Sequence, residues 1–323
     1  MRMETITLGR TGLHASVAGL GCGGPSRLGM RTGKSEAESI AVVRTALDLG
    51  VNFIDTAEAY GTEEIVGKAL AHVPRNQVII STKKGVYHDG APVSGVEFAR
   101  GVEASLQRLG VDTVDILHLH GVRPEQYAHA RDEIVPVLQR LREQGKIQYL
   151  GVTEAFERDT RHEMLAQALD DDWADVVMVG YNMLNQSAAR TVLPRTQAQN
   201  VGTLCMFAVR RAFSRPEHLA TLLDELAARG EVGTALASDD APLAFLTANG
   251  AAASVMDAAY RFCRYTPGLD VILTGTGEVE HLRANVASIL RPPLPPDVVA
   301  RIEAIFGRVD SVSGSYRCSE KDS

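Results

Sequence analysis

Four reactive side-chain types fall within the first 120 residues of this 323-residue sequence: Asp55, Tyr60, the adjacent pair Lys83 and Lys84, and His120. Each alone is ordinary. An isolated Asp is most often a helix cap or a surface charge, and an isolated Tyr is most often packing. Together they hold the parts of a proton donor. A free phenol has a pKa of about 10 and yields its proton reluctantly near neutrality. A neighbouring ammonium favours the phenolate and lowers that pKa, and a carboxylate beside the ammonium keeps it charged and oriented. Tyr60 can then protonate a carbonyl oxygen while His120 hydrogen-bonds the same atom. Such general-acid help is worth ~10²–10⁴ in rate. No side chain donates hydride, so reducing that carbonyl demands an outside source. Parity along the strand leaves the choice between Lys83 and Lys84 open, because one bulge reverses it.

Positioning these groups requires strands. Eight short apolar runs recur: Val17 to Gly21, Asn52 to Thr56, Val78 to Thr82, Asp115 to His120, Gln148 to Val152, Val176 to Tyr181, Thr203 to Phe207 and Val271 to Thr274. Most do not alternate, as expected of strands buried on both faces. Amphipathic helices lie between them. Ser35 with Glu38, and Ser94 with Glu97, read as capping boxes, and Gly50, Gly110 and Gly145 stand at helix ends. Eight strand–helix units in succession predict an α/β fold, a (β/α)₈ TIM barrel. Thr5 to Leu8 and Ala15 to Val17, around Arg10-Thr11-Gly12, predict an N-terminal β-hairpin capping one end. Residues 1–310 are expected as one domain, 311–323 as a polar, mobile tail, and Gly230 to Gly250 as an irregular insertion beside the site. In such a barrel the site lies at the C-terminal strand ends, where Asp55, Tyr60, Lys83 or Lys84, and His120 fall.

The formal net charge of −7 argues against nucleic-acid and membrane-surface partners. Cys22, Cys205, Cys263 and Cys318 form no metal-like spacing and read as reduced thiols. With no signal core and no long apolar stretch, a cytoplasmic protein is expected.

Asn52-Phe53-Ile54-Asp55-Thr56-Ala57-Glu58-Ala59-Tyr60-Gly61, followed by Glu64, Val66 and Gly67, resembles the signature of the aldo-keto reductase superfamily. So do Thr82-Lys83, the run Asp115 to His120, and Gly145 to Thr153, in the family's order from Leu8 to about Ile289. The resemblance implies a tetrad of Asp55, Tyr60, Lys83 and His120 and makes Lys84 a loop charge. It implies NADP(H) in preference to NAD(H), a small carbonyl or alcohol substrate, and a monomer. Gly23, Asp55, Thr153, Glu154, Phe207, Ala208 and Arg210 are then expected along the cofactor. Gly275, Thr276, Gly277, His281 and Asn285 are expected at its adenosine end, where amides at a helix start suit phosphate. Glu154, Met178, Gly275 and His281 stand where the family often has Asn, Gln, Lys and Arg, and Phe207 replaces a stacking Tyr. Arg210, Arg211 and Arg283 are the cations expected to reach a 2′-phosphate. Tyr60, Tyr87, His88 and His120 are expected to line the substrate pocket, with specificity from Gly121 to Tyr127 and the insertion.

Other readings compete. Gly19-Leu20-Gly21-Cys22-Gly23-Gly24 matches a dinucleotide fingerprint, but Pro25 to Gly33 reads as loop where that motif needs a helix. His118 and His120 share a strand face as paired metal ligands do, yet strands five, six and eight end without histidine, so no metal is expected. His118 is expected to pack or to line the pocket, and Trp173 to be structural. A Schiff-base lysine is disfavoured because Asp55 would keep it protonated. A cofactor-binding subunit with little turnover is the alternative outside enzymology.

Overall fold

The computed structural model describes residues 2–315; Cys318 and the rest of the tail beyond Ser315 lie outside the described residues. Eight parallel strands close a barrel in sequence order: β3 (Ala18–Gly21), β4 (Phe53–Asp55), β5 (Ile79–Gly85), β8 (Val114–Val122), β9 (Ile147–Glu154), β10 (Val176–Gly180), β11 (Gly202–Met206) and β12 (Val271–Thr274), which pairs back onto β3. Each of the eight apolar runs becomes a strand. The main difference is that β5 continues three residues, and β8 and β9 two, beyond their expected ends.

Alternation fixes what faces the barrel axis. Phe53, Ile79, Ile116, Val176, Met178, Leu204 and Val271 form an apolar interior cluster. Leu8 and Ala15 join that cluster from the hairpin of β1 (Thr5–Thr7) and β2 (His14–Ser16). The hairpin therefore plugs the end opposite the strand C-termini, with its Leu8 fully buried. A second cluster packs the outer strand faces against the helices.

Both capping boxes form. Ser35 Oγ accepts from Glu38 N while Ser35 N donates to the Glu38 carboxylate at 2.8 Å, and Ser94 with Glu97 repeats the pattern. They start helices Glu36–Asp48 and Gly95–Leu109. Between Pro25 and Gly33 lies only a kinked 3₁₀ stretch, Arg27–Thr32, as a loop reading requires.

The insertion is less irregular than expected. It holds helical turns at Thr234–Ala237, Ala244–Leu246 and Ala248–Gly250, with Leu246 buried and the Arg301 guanidinium 4.2 Å above the Phe245 ring. Residues 311–315, expected to belong to the mobile tail, are packed instead. The carbonyls of Val312 and Ser313 accept from the side chains of Asn185 and Asn182, and Ser315 Oγ accepts from Arg210 Nε at 2.6 Å. Polar side chains here satisfy backbone rather than water. No helix of the described residues is long and apolar enough to cross a membrane.

Candidate active site

Asp55 is the last residue of β4, and Lys83 lies inside β5 on the same interior face as Ser81. Lys83 Nζ donates to Asp55 Oδ2 at 2.5 Å and to the Thr56 carbonyl at 2.8 Å. Ser81 Oγ donates to Asp55 Oδ1 at 2.8 Å. Sequence reasoning missed Ser81, although its position two residues before Lys83 placed it on the same face. The Tyr60 ring follows in the 3₁₀ turn Glu58–Tyr60, with Lys83 Nζ 4.9 Å from its centroid. Its hydroxyl is 3.4 Å from His120 Nε2, near the long limit of a hydrogen bond, and the two rings meet edge-on at 5.4 Å. Four groups from three neighbouring strand ends thus converge.

Their protonation follows from burial and charge. Burial opposes the Lys83 ammonium, yet Asp55 and Tyr60 outweigh it and hold Lys83 above the ordinary lysine value. Burial raises the Asp55 carboxyl, and the ammonium opposes that rise. Burial, then the charge of Lys83, pushes His120 down to about 3, so the imidazole is neutral. For Tyr60 the expected direction is reversed. Burial pushes the phenol up and Lys83 only partly pulls it back. The tyrosine therefore stays a loaded acid, and the ammonium's work is to favour the phenolate as it forms.

Lys84 is not a loop charge. It belongs to β5, faces outward, and donates to Glu58 Oε2 at 2.6 Å beside Gly101. His118, one interior position below His120, is fully buried against Gly151, so it packs rather than lines a pocket. Among the described residues no three His, Cys, Asp or Glu side chains are grouped to hold a metal.

The residues expected along a cofactor divide into two sets. Gly275, Thr276 and Gly277 form the exposed-to-buried turn between β12 and helix Val279–Ile289, with His281 exposed in its first turn. Asn285 Nδ2 donates to Thr274 Oγ1 at 2.9 Å, which holds it beside that turn. Phe207, at φ 70, and Ala208 follow β11, and the Arg210 guanidinium lies 3.8 Å over the Phe207 ring. Arg210 also pairs with Glu157. The side chain of Arg211 lies outside the described residues.

Other members of the set are engaged within the protein. Thr153 Oγ1 accepts from Gly121 N at 2.7 Å, pinning the irregular stretch of β8 that carries His120. Glu154 points the other way. Its carboxylate is buried against His162 Nδ1 at 2.9 Å and accepts from Gly180 N, so it faces the helix layer and not the mouth. Met178 belongs to the apolar interior. Gly23 lies directly beneath the Tyr60 ring.

The expected substrate loops also divide. Tyr87 meets His129 edge-on at 5.5 Å, while His88 sits exposed beside Asp89 in the hairpin of β6 (Tyr87–His88) and β7 (Ala91–Pro92). Tyr127 is buried, its hydroxyl donating to Asp171 and accepting from Trp173, so it is a strut and Trp173 is structural.

The family model for the aldo/keto reductase family matches residues 19–306. The chain belongs to that family. This aldo/keto reductase is 38% identical over 158 residues to L-galactose dehydrogenase of Arabidopsis thaliana, covering 47% of the chain and 49% of that protein. It is 29% identical over 220 residues to probable aldo-keto reductase 1 of Glycine max, covering 66% of the chain and 61% of that protein. The matches thus span about half to three-fifths of those relatives. Its fold is that of aldo-keto reductase AKR11C1 from Bacillus halodurans in the holo form, with a TM-score of 0.71 at 22% identity over 98% of the chain and 99% of that protein.

Proposed function

We propose that this aldo/keto reductase interconverts a small carbonyl compound and its alcohol, with a nicotinamide dinucleotide as hydride partner and Tyr60 as general acid and base. The observation that carries the reading is the buried Asp55–Lys83 pair under the Tyr60 ring, with His120 at the Tyr60 hydroxyl. The chain supplies every part of a proton donor and no hydride. When bound, the dinucleotide supplies that hydride.

The residues present fit such a group. The Gly275-Thr276-Gly277 turn, exposed at Gly275, leads into an 11-residue helix whose first amides suit phosphate oxygens. Phe207 supplies an aromatic ring after β11, one face of it covered by the Arg210 guanidinium. Tyr60 delivers its proton to the carbonyl oxygen, Lys83 stabilises the phenolate left behind, and Asp55 keeps Lys83 charged. Neutral His120 orients the oxygen without competing as an acid. The reverse steps remove the proton from an alcohol.

Similarity to L-galactose dehydrogenase favours an aldose or sugar-like alcohol among the candidate substrates. Preference for NADP(H) over NAD(H) rests on Arg283, because Arg210 lies over Phe207 and pairs with Glu157, and the His281 imidazole is a poorer phosphate partner than the family's Arg. Arg283 is tied to Glu280 only by an exposed 3.7 Å pair, which is cheap to break. Steady-state kinetics on a panel of aldehydes, ketones and aldoses with each dinucleotide tests both readings. Equal or better efficiency with NADH removes the NADP(H) preference. Tight dinucleotide binding with no turnover anywhere on the panel points to a binding subunit. Tyr60→Phe should reduce turnover to a small residual rate and leave dinucleotide affinity intact; near-full turnover in that variant sinks the assignment.

A further inference from the structure

Gly23 follows β3 in a glycine-rich loop, and its neighbour Gly24 needs glycine for its backbone, at φ 71. Gly23 does not. Its φ lies outside the left-handed region, so the chain there is open to any L-residue. What excludes a side chain is space. A Cβ on Gly23 would stand 2.5 Å from Tyr60 Cε2, 2.6 Å from Cζ and 2.8 Å from Cδ2. Cζ carries the hydroxyl. The ring is laid across the Gly23 backbone by the edge that does the proposed chemistry.

One side of this contact is fixed. Cys22 N donates to the Asp55 carbonyl at 2.7 Å, Cys22 is fully buried, and β3 is paired with β4 on one side and β12 on the other. The backbone at Gly23 is thereby tied to the strand end that bears Asp55. The Tyr60 ring is partly exposed and sits in a single 3₁₀ turn, so it is the side able to move.

We infer that Gly23 is a positioning residue, the seat that sets the Tyr60 hydroxyl against Lys83 and His120. The inference rests on the proposed role of Tyr60. Carbon atoms pack at about 3.5–4.0 Å, so a methyl group at position 23 must push the ring edge by roughly 1 Å. A 1 Å misplacement costs about 10²-fold in rate. Because the ring has room to yield, the fold survives.

The test is Gly23→Ala, assayed with the fastest substrate of the panel. The expected result is a roughly 10²-fold loss of kcat, dinucleotide Kd within two-fold of the parent, and a displaced limb in the pH–rate profile. Val96→Ala serves as control, since that side chain is 71% exposed in the first turn of the outer helix Gly95–Leu109. In a Tyr60→Phe background Gly23→Ala should change the residual rate less than two-fold. A loss of kcat under ten-fold overturns the inference, as does an equal loss in the Tyr60→Phe background. A matching loss of dinucleotide affinity overturns it too, because Gly23 would then be a cofactor contact. If Gly23→Ala fails to fold, the double variant with Tyr60→Ala decides: restored folding supports the seat, and continued failure overturns it. Turnover surviving in Tyr60→Phe alone would defeat the general-acid reading instead.

Discussion

Two buried ion pairs stand at the strand ends of this barrel, and they differ in the direction they face. Lys83 and Asp55 point to the barrel axis at 2.5 Å, under Tyr60. His162 and Glu154 are equally buried at 2.9 Å but face outward, between β9, β10 and the loop behind them. There His162 Nε2 contacts Ser187 Oγ at 2.9 Å, and its ring stacks on Phe156 at 5.3 Å. The same kind of chemistry becomes a candidate catalyst on one face and a fastener on the other. Strand parity, not residue type, separates them.

The largest expected effect breaks the inward pair. Lys83→Met should lower kcat by about 10²–10⁴, measured by steady-state turnover, because Tyr60 loses the charge that favours its phenolate. The same variant leaves Asp55 buried without its counter-charge, and denaturant unfolding should register a loss of ~3–5 kcal/mol. His162→Ala breaks the outward pair. Unfolding should show a comparable destabilisation of ~3–5 kcal/mol, while kcat falls at least ten-fold less than in Lys83→Met. Similar losses of kcat in both would erase the contrast.

Two histidines sharpen it through pH. His120 is held near 3 by burial and Lys83, below its ordinary 6.5. A depressed base binds fewer protons folded than unfolded, so its stability contribution is whole above pH 6.5 and fades as pH falls toward 3. For His162 burial lowers the value, but Glu154 outweighs it and holds the imidazole above 6.5. That contribution is whole below pH 6.5 and is lost as pH rises through the folded value. Thermal unfolding against pH should lose part of its acid limb in His120→Gln and part of its alkaline limb in His162→Ala. The smallest effect belongs to Lys84→Met, which breaks the pair with Glu58 on the outer face. It should cost about 0.5–1 kcal/mol of stability with unchanged kcat; a large fall in turnover would mean the wrong lysine had been placed inside.

Much of the frame was legible because burial leaves a pattern. Strands covered on both faces read as apolar runs, and Ser35 and Ser94 announce helix starts by chemistry local to four residues. The inward tetrad was legible too, once Lys83 could be told from Lys84. Glu154 was not, because its partner His162 is eight residues on in a loop with no period. Met178 likewise looks like a substituted polar contact until the register places it in the interior layer. The acidity of Tyr60 was read with the wrong sign, since charge can be inferred from neighbours in sequence while burial requires the whole fold. Residues 311–315 read as tail because their polar side chains mask carbonyls that accept bonds across the molecule.

Those late acceptors impose an order in time. Asn182 waits for Ser313, 131 residues later in the chain, and Arg210 waits for Ser315, 105 residues later. Strands leaving the ribosome first can pair with their neighbours early, whereas the loops after β10 and β11 are fastened only when this late segment has emerged. The region around Phe207 and Arg210 is therefore fastened late, and a nascent chain halted before residue 312 would carry its tetrad without the stitching that holds those loops.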